Sequence, residues 1–124
     1  MIIGTGIDII NTKRLESWCS NTSLLNRYFH PEEITFVASR GKSAPQSLAA
    51  RFGAKEAFGK ALGTGLTNLV LKDIMVINDN NGRPQMQVIG TAKTALEKSG
   101  ANKVHISISH EKEYAVVMIV LEKV

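Results

Sequence analysis

The stretch RFGAKEAFGKALGTG, residues 51–65, limits what this chain can fold into more than any other. It reads as the last turns of a helix and its exit. The helix opens at Ser43, Ala44 and Pro45 and runs to Leu62. It stops at Gly63 or Gly65, because glycine accepts the left-handed conformation at a helix C-terminus. At about 100° per residue, Leu48, Phe52, Lys55, Gly59 and Leu62 share one side. Glu56 and Lys60, spaced i, i+4, stand on the shoulder of that side. As a plain surface ion pair they would contribute only about a few tenths of a kcal/mol. Lys55 points inward, and the pattern gives it no role. A helix that only fills a core has no use for this mixture of charges and small residues. A helix that meets a phosphorylated ligand and a metal does.

The remaining elements follow from periodicity and turn chemistry. MIIGTGIDII predicts a strand over 2–9 with Asp8 near its C-terminal end. Asn11 or Thr12 then caps a short helix, with Leu15, Trp18 and Cys19 on one face and Lys13 and Arg14 outward. A second helical stretch covers 22–29. Pro31 followed by Glu32 and Glu33 marks another helix start, with Ile34 and Val37 facing inward. Two strand-like runs flank Asn80-Asn81-Gly82, a hairpin signal. TAKTALEKSG is a short helix stopped by Gly100. Two further strands surround a polar turn at residues 110–113. The order predicts an α+β fold, a single small domain over 1–124 with a mostly antiparallel sheet and helices packed on it. The last strand, AVVMIVL, is apolar enough to expect cover on both faces, part of it from neighbouring subunits.

Composition narrows the classes. No apolar run is long enough to span a bilayer as a helix. The first residues have no basic region ahead of their apolar ones and carry Asp8 where a signal peptide would be apolar, so a cytoplasmic location is expected. The lone Cys19 excludes an intrachain disulfide framework and a thiolate zinc site. Fifteen basic and 11 acidic residues leave a net charge of +4, a field that speeds the approach of acidic or phosphorylated partners. The basic residues are spread out and not interleaved with aromatics, which argues against nucleic acid.

Asp8 sits in a strand otherwise made of Ile, Thr and Gly, where an unpaired carboxylate is expensive. It either caps the turn at Asn11 and Thr12 or meets a cation. A strand-end carboxylate and a helix carboxylate, Asp8 and Glu56, are the donors Mg²⁺ favours, with waters and substrate phosphate completing the shell. Lys60 would neutralise a phosphate on the same metal. In HISISH, residues 105–110, alternation puts His105, Ser107 and Ser109 on one face of a strand and Val104, Ile106 and Ile108 on the other. The polar face either lines a ligand site or meets solvent. No G-x-S-x-G elbow, dinucleotide fingerprint or Walker loop is present.

Together GTGIDIINTKRL (4–15), RFGAKEAFGKALGTG (51–65) and HISISH (105–110) resemble the signature segments of the bacterial holo-acyl-carrier-protein synthases, of the 4′-phosphopantetheinyl transferase superfamily. The similarity spans the chain in order. Gly53 departs from the pattern, which often has alanine there, at a cost of about 1 kcal/mol in helix propensity.

The resemblance implies transfer of phosphopantetheine from coenzyme A to a serine of an apo acyl carrier protein, with Mg²⁺ and release of adenosine 3′,5′-bisphosphate. It implies a homotrimer with sites between subunits, and a place in fatty acid biosynthesis. Asp8 and Glu56 match the metal carboxylates and Lys60 the lysine near the diphosphate. His105 matches a histidine of the coenzyme A site, and Arg14 an arginine presented to the carrier. Gly63 and Gly65 would let the backbone pass close to coenzyme A. The serine needs a base, Glu56 or Asp8, acting directly or through a metal-bound water. Carrier proteins are acidic, so Lys13 and Arg14 are the docking candidates, with Arg27 a weaker one. The rival readings are a regulator that binds coenzyme A without turnover, and a transferase serving peptide-synthesis carriers. The latter relatives are about twice as long by internal duplication, which is not seen here.

Overall fold

The most apolar run of the sequence becomes the middle of the molecule. In a computed structural model that describes residues 1–124, β5 (Tyr114–Glu122) lies between β1 (Ile2–Asn11) and β4 (Lys103–His110), antiparallel to both. A second antiparallel pair joins β2 (Ile74–Asn78) to β3 (Pro84–Val88). The helices are α1 (Thr22–Tyr28), α2 (Pro31–Ala38), α3 (Ala44–Leu62) and α4 (Gly90–Ser99). The α+β class with antiparallel sheets is therefore as the sequence predicts.

Alternation along β5 sends Ala115, Val117, Ile119 and Leu121 to one face, where all four are fully buried. In register with them, Ile10, Asp8, Gly6 and Gly4 of β1 lie on that same face. Against it packs α3, which is enclosed on nearly every side. Its residues 48–59 are all buried except Glu56. Small residues make this possible. A Cβ at Gly4 would stand 2.1 Å from the Ala61 carbonyl oxygen, and one at Gly6 2.0 Å from that of Ala57. Both glycines of the first strand thus exist so that the helix backbone can rest on the strand backbone.

Two apolar clusters flank this contact. One gathers Phe58, Ile74, Leu96, Val117 and Ile119. The other gathers Leu15, Leu25, Phe29, Leu48 and Phe52. Each large side chain fully buried there is worth about 1.5–3 kcal/mol in removed apolar surface.

Several boundaries differ from expectation. The first strand continues to Asn11, because pairing with β5 persists to Tyr114. The helix expected after it is instead two 3₁₀ turns, Thr12–Leu15 and Ser17–Ser20. Asn11 is the cap: its side chain accepts from the Lys13 N–H at 3.0 Å, while the buried Thr12 hydroxyl has no partner. Gly63, at φ 80°, ends α3. Gly65 then folds back, its N–H donating to the Gly59 carbonyl at 3.0 Å. Within one chain the sheet is covered on one face only. Its outer face exposes Ile7, Ile9 and Met118.

Candidate active site

Asp8 reaches the inner face of the sheet by strand parity and meets α3 there. Its Oδ1 accepts from Lys60 Nζ at 2.9 Å, and the same ammonium donates to the Ile7 carbonyl at 3.0 Å. Of the two expectations for Asp8, the cation is the one realised. Lys60 correspondingly does not pair with Glu56. A largely enclosed carboxylate, 12 % exposed, draws the ammonium more strongly than a carboxylate on a hydrated helix shoulder can.

The other oxygen of Asp8, Oδ2, is buried and has no hydrogen-bond partner. It lies over Gly53, where a Cβ would come within 3.7 Å of it. Glu56 stands one turn further along α3, half-buried and in no ion pair. An orphaned carboxylate oxygen over Gly53 and an unpaired carboxylate one turn along the same helix are all-oxygen donors of the kind a hard divalent cation takes. The residues therefore fit Mg²⁺. Lys60, with half its side chain in solvent, is available to a ligand arriving at the α3–β1 seam.

His105 is placed elsewhere. It lies on the outer face of β4 with Ser107 and Ser109, as alternation predicts, with the sheet between it and the Asp8 side chain. Its Nε2 meets Glu122 Oε1 at 2.8 Å, and this hydrogen bond holds the Glu122 carboxyl below its ordinary value.

Two features escaped the sequence. The first is the role of Lys55. Its ammonium is wholly enclosed and bound to Glu33 Oε1 at 2.7 Å, to the Leu71 carbonyl at 3.0 Å and to the Ile74 carbonyl. Burial pushes the Lys55 ammonium below its ordinary value, and Glu33 opposes that shift. The inward direction of Lys55 was legible; that it required a buried acid was the unused signal. The second is a cleft of about 560 Å³ between α2, α3 and the β2–β3 hairpin, lined by Arg40, Arg51, Asn78 and His110 among others. Arg51 donates to Ser47 Oγ at 2.9 Å and Asn78 Oδ1 at 2.8 Å, with its Cζ 4.3 Å from the centre of the Phe36 ring. Burial lowers its pKa to about 10, so it stays cationic at neutral pH.

Known proteins resolve the class. A family model described as the 4′-phosphopantetheinyl transferase superfamily matches residues 4–119. The chain belongs to that superfamily. This phosphopantetheinyl transferase is 50% identical over 122 residues to the holo-[acyl-carrier-protein] synthase of Treponema denticola, covering 98% of this chain and 99% of the relative. The transferase superposes on the crystal structure of that synthase from Neisseria meningitidis with a TM-score of 0.87, at 33% identity, over 99% of this chain and 100% of the other. It also superposes on the Bacillus anthracis synthase in complex with CoA (3′,5′-ADP), with a TM-score of 0.82 at 36% identity, over 100% and 99% of the two chains.

The first helix of the expected docking face is irregular in the transferase, yet its charges are presented as predicted. Lys13, Arg14 and Arg27 are exposed. Arg14 lies 5.7 Å from the centre of the Phe52 ring and Arg27 5.3 Å from that of Tyr28. Between them Trp18 packs on Tyr28 at 6.0 Å and Phe52 at 5.3 Å.

Proposed function

We propose that the chain is a single-domain holo-[acyl-carrier-protein] synthase, moving 4′-phosphopantetheine from coenzyme A to a serine of an apo acyl carrier protein. The observation that carries this reading is the Asp8 oxygen left without a partner over Gly53, on the carboxylate that also accepts from Lys60. Asp8 and Glu56 are the residues that would hold Mg²⁺. When bound, the metal neutralises charge on the diphosphate and aids departure of the leaving group.

The chain's own residues do the rest. Lys60 pairs with the diphosphate as a point charge, exchanging part of its contact with Asp8 for the ligand. The serine oxygen bonds to the phosphorus of the pantetheine phosphate, and the bridging P–O bond breaks. Adenosine 3′,5′-bisphosphate leaves, and the serine proton passes to a carboxylate of the site, Glu56 or Asp8. Gly63 and Gly65 keep the exit of α3 free of side chains, and a Cβ at either would meet nothing within 4 Å, so a ligand can approach the backbone there.

Coenzyme A carries further charge at its 3′-phosphate, and the cleft that holds Arg40 and Arg51, with Asp79 on its wall, offers it two guanidinium groups. The outer sheet face, with Ile7, Ile9 and Met118 exposed, needs cover, and a homotrimer would supply it. His105 lies on that face, so it meets coenzyme A only if the neighbouring subunit brings the ligand there. Lys13 and Arg14 take the acidic carrier. Lys13 stands on the rim of a 480 Å³ cleft of mixed charge, with Lys42 and Lys112 beside Glu16 and Glu113. The product serves fatty acid synthesis in the cytoplasm.

Intact mass of apo acyl carrier protein, after incubation with the protein, coenzyme A and Mg²⁺, tests the reading. A gain of one phosphopantetheine that EDTA abolishes is expected. No gain with several carriers, despite tight coenzyme A binding, would replace it with the regulator.

A further inference from the structure

Lys55 precedes Glu56 in the chain and points away from the seam, yet it commits every N–H it has. Its three donors go to Glu33 and to two backbone carbonyls, all enclosed, with Lys55 0 % and Glu33 1 % exposed. Glu33 is equally committed. Its Oε1 also accepts from the His30 N–H at 3.1 Å and its Oε2 from the Val76 N–H at 3.1 Å. One ion pair thus ties the start of α2, the middle of α3, the turn before β2, and β2 itself.

The opposite side of α3 has only a lighter polar grip, the half-exposed Lys60 on Asp8 and the Ile7 carbonyl. The rest of its contact with the sheet runs through Gly53, Ala57 and Ala61 against Gly4, Gly6 and Ile10, backbone and small groups that interlock little. That smooth side alone resists turning poorly, so the axial setting of α3 is held from its other sides, by Leu48, Phe52 and Phe58 in the apolar clusters and by the Lys55 ion pair. The direction in which Glu56 projects depends on that axial setting. Arg51 adds a hold one turn earlier through Asn78, whereas Lys60 is half in solvent and free to follow a ligand.

We propose that Lys55 and Glu33 are positioning residues, which fix the rotation of α3 and so hold Glu56 towards the metal beside Asp8. The proposal rests on the metal assignment made above. It gives the sequence pair Lys55-Glu56 a division of labour: one residue anchors the helix, and the next uses the orientation.

The test is Mn²⁺ binding, followed by electron paramagnetic resonance on the full chain with coenzyme A present, alongside steady-state kinetics. The main variant is Glu33→Gln with Lys55→Met, which removes both charges and leaves no unpaired ion inside. Loss of such an orienting contact is expected to weaken Mn²⁺ binding by about tenfold or more, with kcat falling in step. KM for the carrier protein should stay within about twofold, since docking lies on another surface. Leu96→Ala, destabilised in α4, should keep its Mn²⁺ affinity, which separates orientation from loss of stability. Lys55→Met alone, which leaves Glu33 its two backbone N–H donors and an oxygen that can take up a proton, carries the test if the double variant does not fold, with a loss in the same direction.

Glu56→Ala is run beside them. If it loses Mn²⁺ while the folded double variant binds and turns over like wild type, the positioning role is refuted. If Glu56→Ala itself binds Mn²⁺ normally, the metal assignment falls and this inference falls with it.

Discussion

Replacing Gly6 by alanine should damage both stability and turnover, though it adds one methyl group. The new Cβ would stand 2.0 Å from the Ala57 carbonyl oxygen and 2.7 Å from the Ala61 nitrogen. Both are backbone atoms of a helix walled in on nearly every side, so no rotamer change relieves the clash. Reaching an ordinary contact requires β1 and α3 to part by about 1 Å or more. Overpacking of this kind costs about 1–3 kcal/mol, and a rigid partner places Gly6→Ala at the upper end. The same displacement moves Asp8, two residues along the strand, away from Glu56 and Lys60. A misplacement of about 1 Å in a reacting constellation can cost about a hundredfold in rate. Urea unfolding at fixed protein concentration reads the first effect and phosphopantetheine transfer at saturating coenzyme A the second. A Gly6→Ala protein with the wild-type midpoint and rate would refute the claim that backbone contact sets the geometry of the seam.

Asp8→Ala and Glu56→Ala are each expected to abolish transfer while leaving circular dichroism unchanged; near-normal transfer with Mg²⁺ present would remove that residue from the reaction. The His105 contact depresses the Glu122 carboxyl. Its stabilisation is therefore complete above the ordinary 4.5 and is lost as pH falls from there through the folded value. Comparing thermal midpoints of wild type and Glu122→Gln should show their difference shrinking over that acid interval, and a constant difference would contradict the assignment. Carrier docking through Lys13 and Arg14 should show an association rate that drops by about tenfold between 0.05 and 0.5 M salt, with Arg14→Glu removing much of the slope; stopped-flow mixing measures it, and indifference to salt would move docking elsewhere.

Periodicity made much of this molecule legible. The long helix, its glycine stop, the hairpin at Asn80-Asn81-Gly82 and the alternation of His105 with Ile106 all follow from local spacing, and local spacing is what a linear sequence states directly. Interactions between distant segments were less so. Glu33 looked like an ordinary acid in a first helical turn, a role it also fills by capping the His30 N–H. Only the inward direction of Lys55 hinted that the two belong together. The pairing of Lys60 with Asp8 rather than Glu56 depends on how closely α3 lies on β1, and that closeness is written in Gly4 and Gly6. Thr12–Leu15 winds as a 3₁₀ turn directly after a strand that runs on to Asn11, whose side chain caps it by accepting from the Lys13 N–H.

The aromatic group around Trp18 gives the molecule an optical signal of its own. The chain has one tryptophan, so its emission reports one location. That indole shares the Phe52 ring with the Arg14 guanidinium and stacks beside Tyr28, over which Arg27 lies. Any acidic surface that engages the two arginines changes the electric field at the indole. Binding at that face can therefore be followed by the wavelength and lifetime of native fluorescence, with no dye attached and none of the charges altered.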